Sequence, residues 1–211
     1  MERNKRIIAI TGPSGAGKTT LGNNLHNIYG YELPSQATTR NRRSDDMPNS
    51  YEYLAHEEFA KHAQNGDFLF YSGDGPEIKK EYGNFYGYLR SSCEKAWENS
   101  NTIVLYVSYK DIDSLREIGT NGIELDLINL TFKAEHFASS VESRIRGDKS
   151  RNHTEEDIAR RVKCATEYED RYGKAVQTFA SAVICTDIRD EVSTLEETMK
   201  ALNKKGGEIG E

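Results

Sequence analysis

The chain has 211 residues, of which 36% are hydrophobic and 29% charged, a length and balance that suit one domain with its own core and exclude disorder throughout. A formal net charge of -6 excludes general nucleic-acid binding, which needs a basic surface to displace counterions from phosphates. Cys93, Cys164 and Cys185 lie far apart with no CxxC spacing, so neither a disulfide framework nor a zinc site is indicated and a cytoplasmic setting is expected.

The first apolar run, Ile7-Ile8-Ala9-Ile10, is too short for a signal h-region or a membrane span, so neither export nor a membrane partner is expected. Closed by Thr11-Gly12, it reads as a buried strand of a parallel sheet. Leu21, Leu25 and Ile28 then recur at helical spacing up to Gly30. Glu57 to Gln64 predicts a helix stopped by Asn65-Gly66, and the aromatic run Phe68 to Tyr71 a short strand, followed by a polar stretch from Ser72 to Glu81. Ile103 to Val107 and Leu125 to Phe132 are further strand candidates, with a helix around Ile112 to Ile118 between them. The Arg-rich region Glu135 to Val162 has a polar gap at Asp148 to Asn152, then a helix with Thr154 as N-cap and Glu155, Glu156 and Asp157 in its first turn. Ala182 to Cys185 reads as a last buried strand, and the tail Lys204 to Glu208, without apolar periodicity, as frayed. Strands alternating with helices predict an α/β fold.

Between the first strand and the first helix stands Gly12-Pro13-Ser14-Gly15-Ala16-Gly17-Lys18-Thr19, a match to GxxxxGK[ST] in the context its mechanism requires. Gly12, Ser14, Gly15, Ala16 and Gly17, with Thr20 beside them, are expected to surround ATP phosphates at the positive end of the helix. Lys18 reaches the β/γ oxygens and the Thr19 hydroxyl ligates the metal, so ATP and Mg²⁺ are the expected cofactors. The loop alone does not separate switch GTPases, ATPases and kinases.

Thr38-Thr39-Arg40-Asn41-Arg42-Arg43 places three arginines in a short polar run, followed by Tyr51 and Tyr53 and by Gly83-Asn84-Phe85-Tyr86-Gly87. GPSGxGK[ST], TTRxxR, a following tyrosine, a GNYYG-like turn and an Arg-rich segment before a long helix occur in that order from about Ile7 to Thr186. Together they resemble the guanylate kinase family. The resemblance implies a single domain, 1–211, with a P-loop NTPase-type core of a parallel sheet flanked by helices (about 5–33 and 100–203), a small NMP-binding lobe (about 34–99) and an Arg-rich lid (about 144–156). It implies a kinase that moves a phosphoryl group from ATP onto a nucleoside monophosphate, GMP or dGMP first. It also implies a phosphate clamp of Arg40, Arg43, Tyr51 and Tyr86, and guanidinium forks and phenol O–H donors do suit a phosphate dianion. Arg151 and Arg161 match the family's lid arginines best, with Arg144 or Arg146 assisting. With Lys18 they are expected to neutralise charge on the transferring group as the lid excludes water.

The base pocket departs from the family pattern. Where the family reads guanine with a carboxylate in a FLEW-like segment and an aspartate at an LDID-like strand end, the aligned residues are Phe70 and Ser108, and serine-like contacts fall on Gln36 and Tyr88. Burying guanine's donors unpaired costs on the order of 1–3 kcal/mol each. Either the stretch Ser72 to Glu81 brings in Asp74, Glu77 or Glu81, or another base is preferred, with Tyr88 and Phe70 stacking on a pyrimidine or modified base and Gln36 offering a donor and an acceptor. Leu105-Tyr106-Val107-Ser108-Tyr109 offers no metal carboxylate, which leaves Mg²⁺ to Thr19, ATP oxygens and waters, with Asp111 indirectly placed. A kinase of a phosphorylated sugar would also lack base-reading residues. A non-catalytic interaction module of the same family is the other rival, disfavoured by the retained Lys18 and Thr19. The expected partner is a nucleoside monophosphate, with no nucleic acid, in a monomer or homodimer.

Overall fold

The computed structural model describes residues 4–43, 46–73, 78–79, 81, 83–119, 122–148, 152–187 and 190–206, the side chains of 204–206 excepted. The first half runs β1 (Arg6–Thr11), α1 (Lys18–Tyr29), β2 (Gln36–Thr38), β3 (Tyr51–Tyr53), α2 (His56–Asn65), β4 (Phe68–Gly73), β5 (Phe85–Leu89) and α3 (Arg90–Asn99). The second half runs β6 (Thr102–Tyr106), α4 (Ile112–Gly119), β7 (Glu124–Thr131), α5 (Phe137–Gly147), α6 (Glu155–Phe179), β8 (Ala182–Cys185) and α7 (Glu191–Gly206). No helix among the described residues is long and apolar enough to cross a membrane.

The fold is α/β. Its main sheet is parallel throughout, in the order β6-β1-β7-β8. Helices cover both faces, which is why β1 shows an unbroken apolar run and no alternation. Ile8 and Ile10 pack with Leu21 and Leu25 of α1, Val141 of α5 and Leu202 of α7. Ile7 and Ala9 pack on the opposite face with Cys93 of α3, Leu115 of α4 and Val176 of α6.

A second sheet has the order β3-β2-β5-β4, with β2 and β3 parallel and the other pairs antiparallel. It has a core of its own, built on Phe59 of α2 and on Ala37, Phe68, Phe85 and Leu89. Phe70 and Tyr88 do not join it. They belong to the apolar layer beneath the main sheet, with Ile103, Leu105 and Ile112, so the two sheets are tied through shared packing.

Two local expectations are corrected. The GNFYG segment is not a turn: Gly83 and Asn84 are irregular, and from Phe85 onward it is β5. The tail expected to fray is helical to Gly206, as the end of α7, because Leu195 and Leu202 anchor that helix in the core. Residues 207 and 208 lie outside the described residues.

Candidate active site

At the end of β1 the chain turns through Gly12, Gly15 and Gly17 with φ of 144°, 80° and 91°. A β-carbon on Gly12 would stand 2.2 Å from the Leu130 carbonyl oxygen, and one on Gly15 2.4 Å from the Arg144 Cβ. The loop is thus threaded between β7 and α5 with no room for side chains at those two positions. Gly17 is the N-cap of α1 in the left-handed conformation, so the chain enters the helix at its positive end directly from the loop. The Lys18 Nζ donates to the carbonyls of Gly12 and Pro13 at 2.8 Å each, which draws the ammonium across the loop. Burial lowers that ammonium from 10.5 to about 8, and the Arg161 guanidinium adds to the effect. Thr19 is exposed on the first turn of α1.

A cavity of about 330 Å³ opens beside the loop. Gly12 and Lys18 come to it from the loop, Gln36, Phe70 and Tyr86 from the second sheet, Ser108 and Asp111 from beyond β6, and Arg161 from α6. It lies at the carboxyl ends of β1 and β6, the edge where open α/β sheets receive ligands. Asp111 is the only carboxylate among the described residues that line it. Ser108 and Asp111 form a capping box on the 3₁₀ turn Tyr109–Asp111, with the Ser108 N–H donating to Asp111 Oδ2 at 2.8 Å. Asp111 is 5% exposed. Burial pushes its carboxyl up from the ordinary range, opposed by bonds from the Ser108 N–H and the Ser72 hydroxyl.

At the end of β2, Arg40 donates from Nη1 and Nη2 to Asp46 at 2.8 and 2.6 Å, both side chains being 5% exposed. The Tyr53 hydroxyl and, at 2.7 Å, the Arg43 N–H also donate to Asp46. The Arg40 fork above all holds this carboxyl well below the usual range, against a burial effect that raises it. The Arg40 guanidinium lies 4.3 Å over the Tyr51 ring.

The start of α6 is set by Thr154, whose hydroxyl accepts the Asp157 N–H at 3.1 Å. Farther along the helix, Arg161 donates from Nη2 to the Ser14 Oγ at 2.5 Å. Arg144 of α5 donates to the Thr186 carbonyl at 2.9 Å and lines a separate cavity of about 90 Å³ with Ala16, Gly17, Thr20 and Asp190. It therefore flanks the opposite side of the loop.

The guanylate kinase family model matches residues 4–202. The chain belongs to the guanylate kinase family. Among its relatives, guanylate kinase of Fusobacterium nucleatum is 28% identical over 198 residues, 92% of this chain and 97% of that one. Guanylate kinase of Clostridium perfringens is 29% identical over 197 residues, 92% of this chain and 82% of its own. The crystal structure of guanylate kinase from Anaplasma phagocytophilum shares the fold, with a TM-score of 0.61 at 17% identity over 97% of this chain and 88% of that one. Membership makes the chain a P-loop nucleoside monophosphate kinase, an enzyme that phosphorylates its acceptor from ATP.

The structure brings several of the residues singled out above in this family member together at one cavity: Gly12, Ser14, Lys18, Gln36, Phe70, Tyr86, Ser108 and Arg161. It corrects others. Tyr88 is not a wall of the cavity but lies behind it, where its hydroxyl accepts the Tyr106 N–H at 2.9 Å. Arg40 is not an open fork, because one edge is engaged by Asp46. Arg43 is exposed and reaches Asp46 through its backbone. Arg146 bonds to Glu155 through both Nη atoms at 2.6 Å. Arg151, Asp74 and Glu77 lie outside the described residues, and Glu81 is exposed and does not line the cavity. Asp46 went unnoticed in the sequence, and so did Asp111 as a cavity residue. The Ser108-x-x-Asp111 spacing is itself a capping-box signal that would have marked the second.

Proposed function

We propose that this kinase transfers the γ-phosphoryl group of ATP to GMP or dGMP, in the cytoplasm. The observation that carries the base assignment is Asp111, a buried carboxylate in a cavity bordered by Phe70, Val107 and Tyr109. Guanine presents N1–H and an exocyclic amine side by side, two donors that suit one carboxylate. Adenine and cytosine place a ring acceptor next to their amine and would set it against a carboxylate oxygen. The free thiols of Cys93, Cys164 and Cys185 suit a reducing compartment.

The glycine loop and the start of α1 would hold the ATP phosphates, Lys18 exchanging its loop carbonyls for β/γ oxygens. Arg144, across the loop, would border the rest of the nucleotide. Arg40, held by Asp46 and beside Tyr51, would with Arg43, Tyr51 and Tyr86 clamp the acceptor phosphate. Arg161, already at Ser14, would shield the transferring group. Mg²⁺ would be held by the Thr19 hydroxyl, on the exposed first turn of α1, and by substrate oxygens. When bound, that ion supplies neutralisation of phosphate charge. An acceptor phosphate oxygen forms the new bond to the γ-phosphorus while the β,γ-bridging P–O bond breaks and ADP leaves with its electron pair, with no covalent protein intermediate.

ADP release with ATP, Mg²⁺ and a panel of GMP, dGMP, IMP, AMP, CMP, UMP and dTMP tests the reading. The expected result is a kcat/KM highest for GMP or dGMP and lowered about 100-fold in Asp111→Asn, which still caps its turn. A wild-type preference for AMP or a pyrimidine nucleotide would overturn the base assignment.

A further inference from the structure

We propose that His153 is a positioning residue that holds Arg161 over the phosphate loop; the inference rests on the shielding role given to Arg161 above. His153 immediately precedes the N-cap of α6, and its side chain is 8% exposed. Its Nδ1 lies 2.9 Å from Asp157 Oδ2, so the ring presents Nδ1–H to that carboxylate. Asp157 is itself fixed on the first turn, by its own N–H to Thr154 and by Arg160 at 2.6 Å, and the His153 bond above all draws its carboxyl below the ordinary range. The imidazole is therefore anchored to the helix start rather than to solvent.

Arg161 Nη1 stands 3.4 Å from both ring nitrogens of His153. An atom at that distance from both cannot lie in the ring plane, because the Cε1 carbon between them would be in collision with it. The guanidinium must sit over the ring face. Its other end, Nη2, reaches the Ser14 Oγ, so the group spans from imidazole to phosphate loop. Asp157 also pairs with Arg161, at 4.0 Å from Nη1, and Asp148 lies 3.8 Å from His153 Nε2, so acids border the imidazole and the guanidinium together. A free arginine side chain samples many rotamers, and a flat surface beneath the guanidinium removes most of them before the transition state forms. The family's Arg-rich motif does not contain His153.

The test compares kcat and KM for ATP and for the best acceptor in His153→Ala, His153→Phe, Arg161→Ala and the His153→Ala/Arg161→Ala double variant, with thermal melts confirming that each is folded. The expected result is a kcat about tenfold lower in His153→Ala with acceptor KM unchanged, partial recovery in His153→Phe, which keeps a flat ring, and no further loss when His153→Ala is added to Arg161→Ala. A wild-type kcat in His153→Ala beside a crippled Arg161→Ala would overturn the inference alone. The same fold-loss in both backgrounds would also overturn it, by making His153 a stability residue only. Wild-type activity in Arg161→Ala would remove the role of Arg161 itself, and this inference with it.

Discussion

Arg40 and Asp46 meet through two hydrogen bonds at 2.8 and 2.6 Å with both side chains nearly out of solvent. Removing the carboxylate leaves a buried guanidinium unpaired, so Asp46→Ala is expected to lose about 3 kcal/mol of stability in denaturant unfolding. Acceptor KM should rise at least tenfold, on the order expected for a lost orienting contact, while KM for ATP stays near wild type. The pH sign follows from the lowered folded-state value of Asp46. Its contribution is present above the unfolded carboxylate value of about 3.9 and is lost as pH falls below it, so the variant should show a shallower acid unfolding limb.

Lys18 gives a second, alkaline signature. The protonated amine is the form that neutralises phosphate, so kcat/KM for ATP is expected to fall as pH rises through about 8, the value to which burial lowers it. Bound phosphate favours the ammonium, and kcat should hold to higher pH than kcat/KM. Stability runs the other way. Between about 8 and the unfolded lysine value of about 10.4, the unfolded chain binds more protons, and the native state gains stability as pH rises. Lys18→Met removes both effects, which pH–rate profiles and melts at constant ionic strength would reveal.

Tyr88 provides a negative control for the base pocket. Its hydroxyl accepts the Tyr106 N–H inside the core, so Tyr88→Phe strands a buried donor and is expected to cost about 1–2 kcal/mol. The ratio of kcat/KM between GMP and AMP should not move. A changed ratio in this variant would contradict the placement of Tyr88 behind the cavity wall.

The phosphate loop and the start of α6 were legible because their signals are local. Glycines with positive φ sit at Gly12, Gly15 and Gly17, and Thr154 is followed by three acids. The second sheet was harder. Gln36–Thr38 and Tyr51–Tyr53 are too short to show a period of two. Gly87 looks like turn punctuation, yet it lies in β5, where a β-carbon would come 2.8 Å from the Phe68 ring, so close packing and not a turn demands it. Tyr86 and Tyr88 share one face of that strand, but only the first reaches the cavity. Asp46 closes on Arg40 across a loop, and Asp111 faces a cavity assembled from distant segments. Neither relation has a sequence period.

Phe70 walls the cavity and at the same time belongs to the apolar layer that joins the two sheets, 7% exposed beside Tyr88. Truncating it to alanine would leave a hole in that layer as well as in the cavity wall, so the loss would fall on folding as well as on the site. At Phe70 the strand supplies bulk, while polar side chains reach the same cavity from Gln36, Ser72, Ser108 and Asp111. One side chain thus serves two structures at once, the wall of the cavity and the seam between the two sheets.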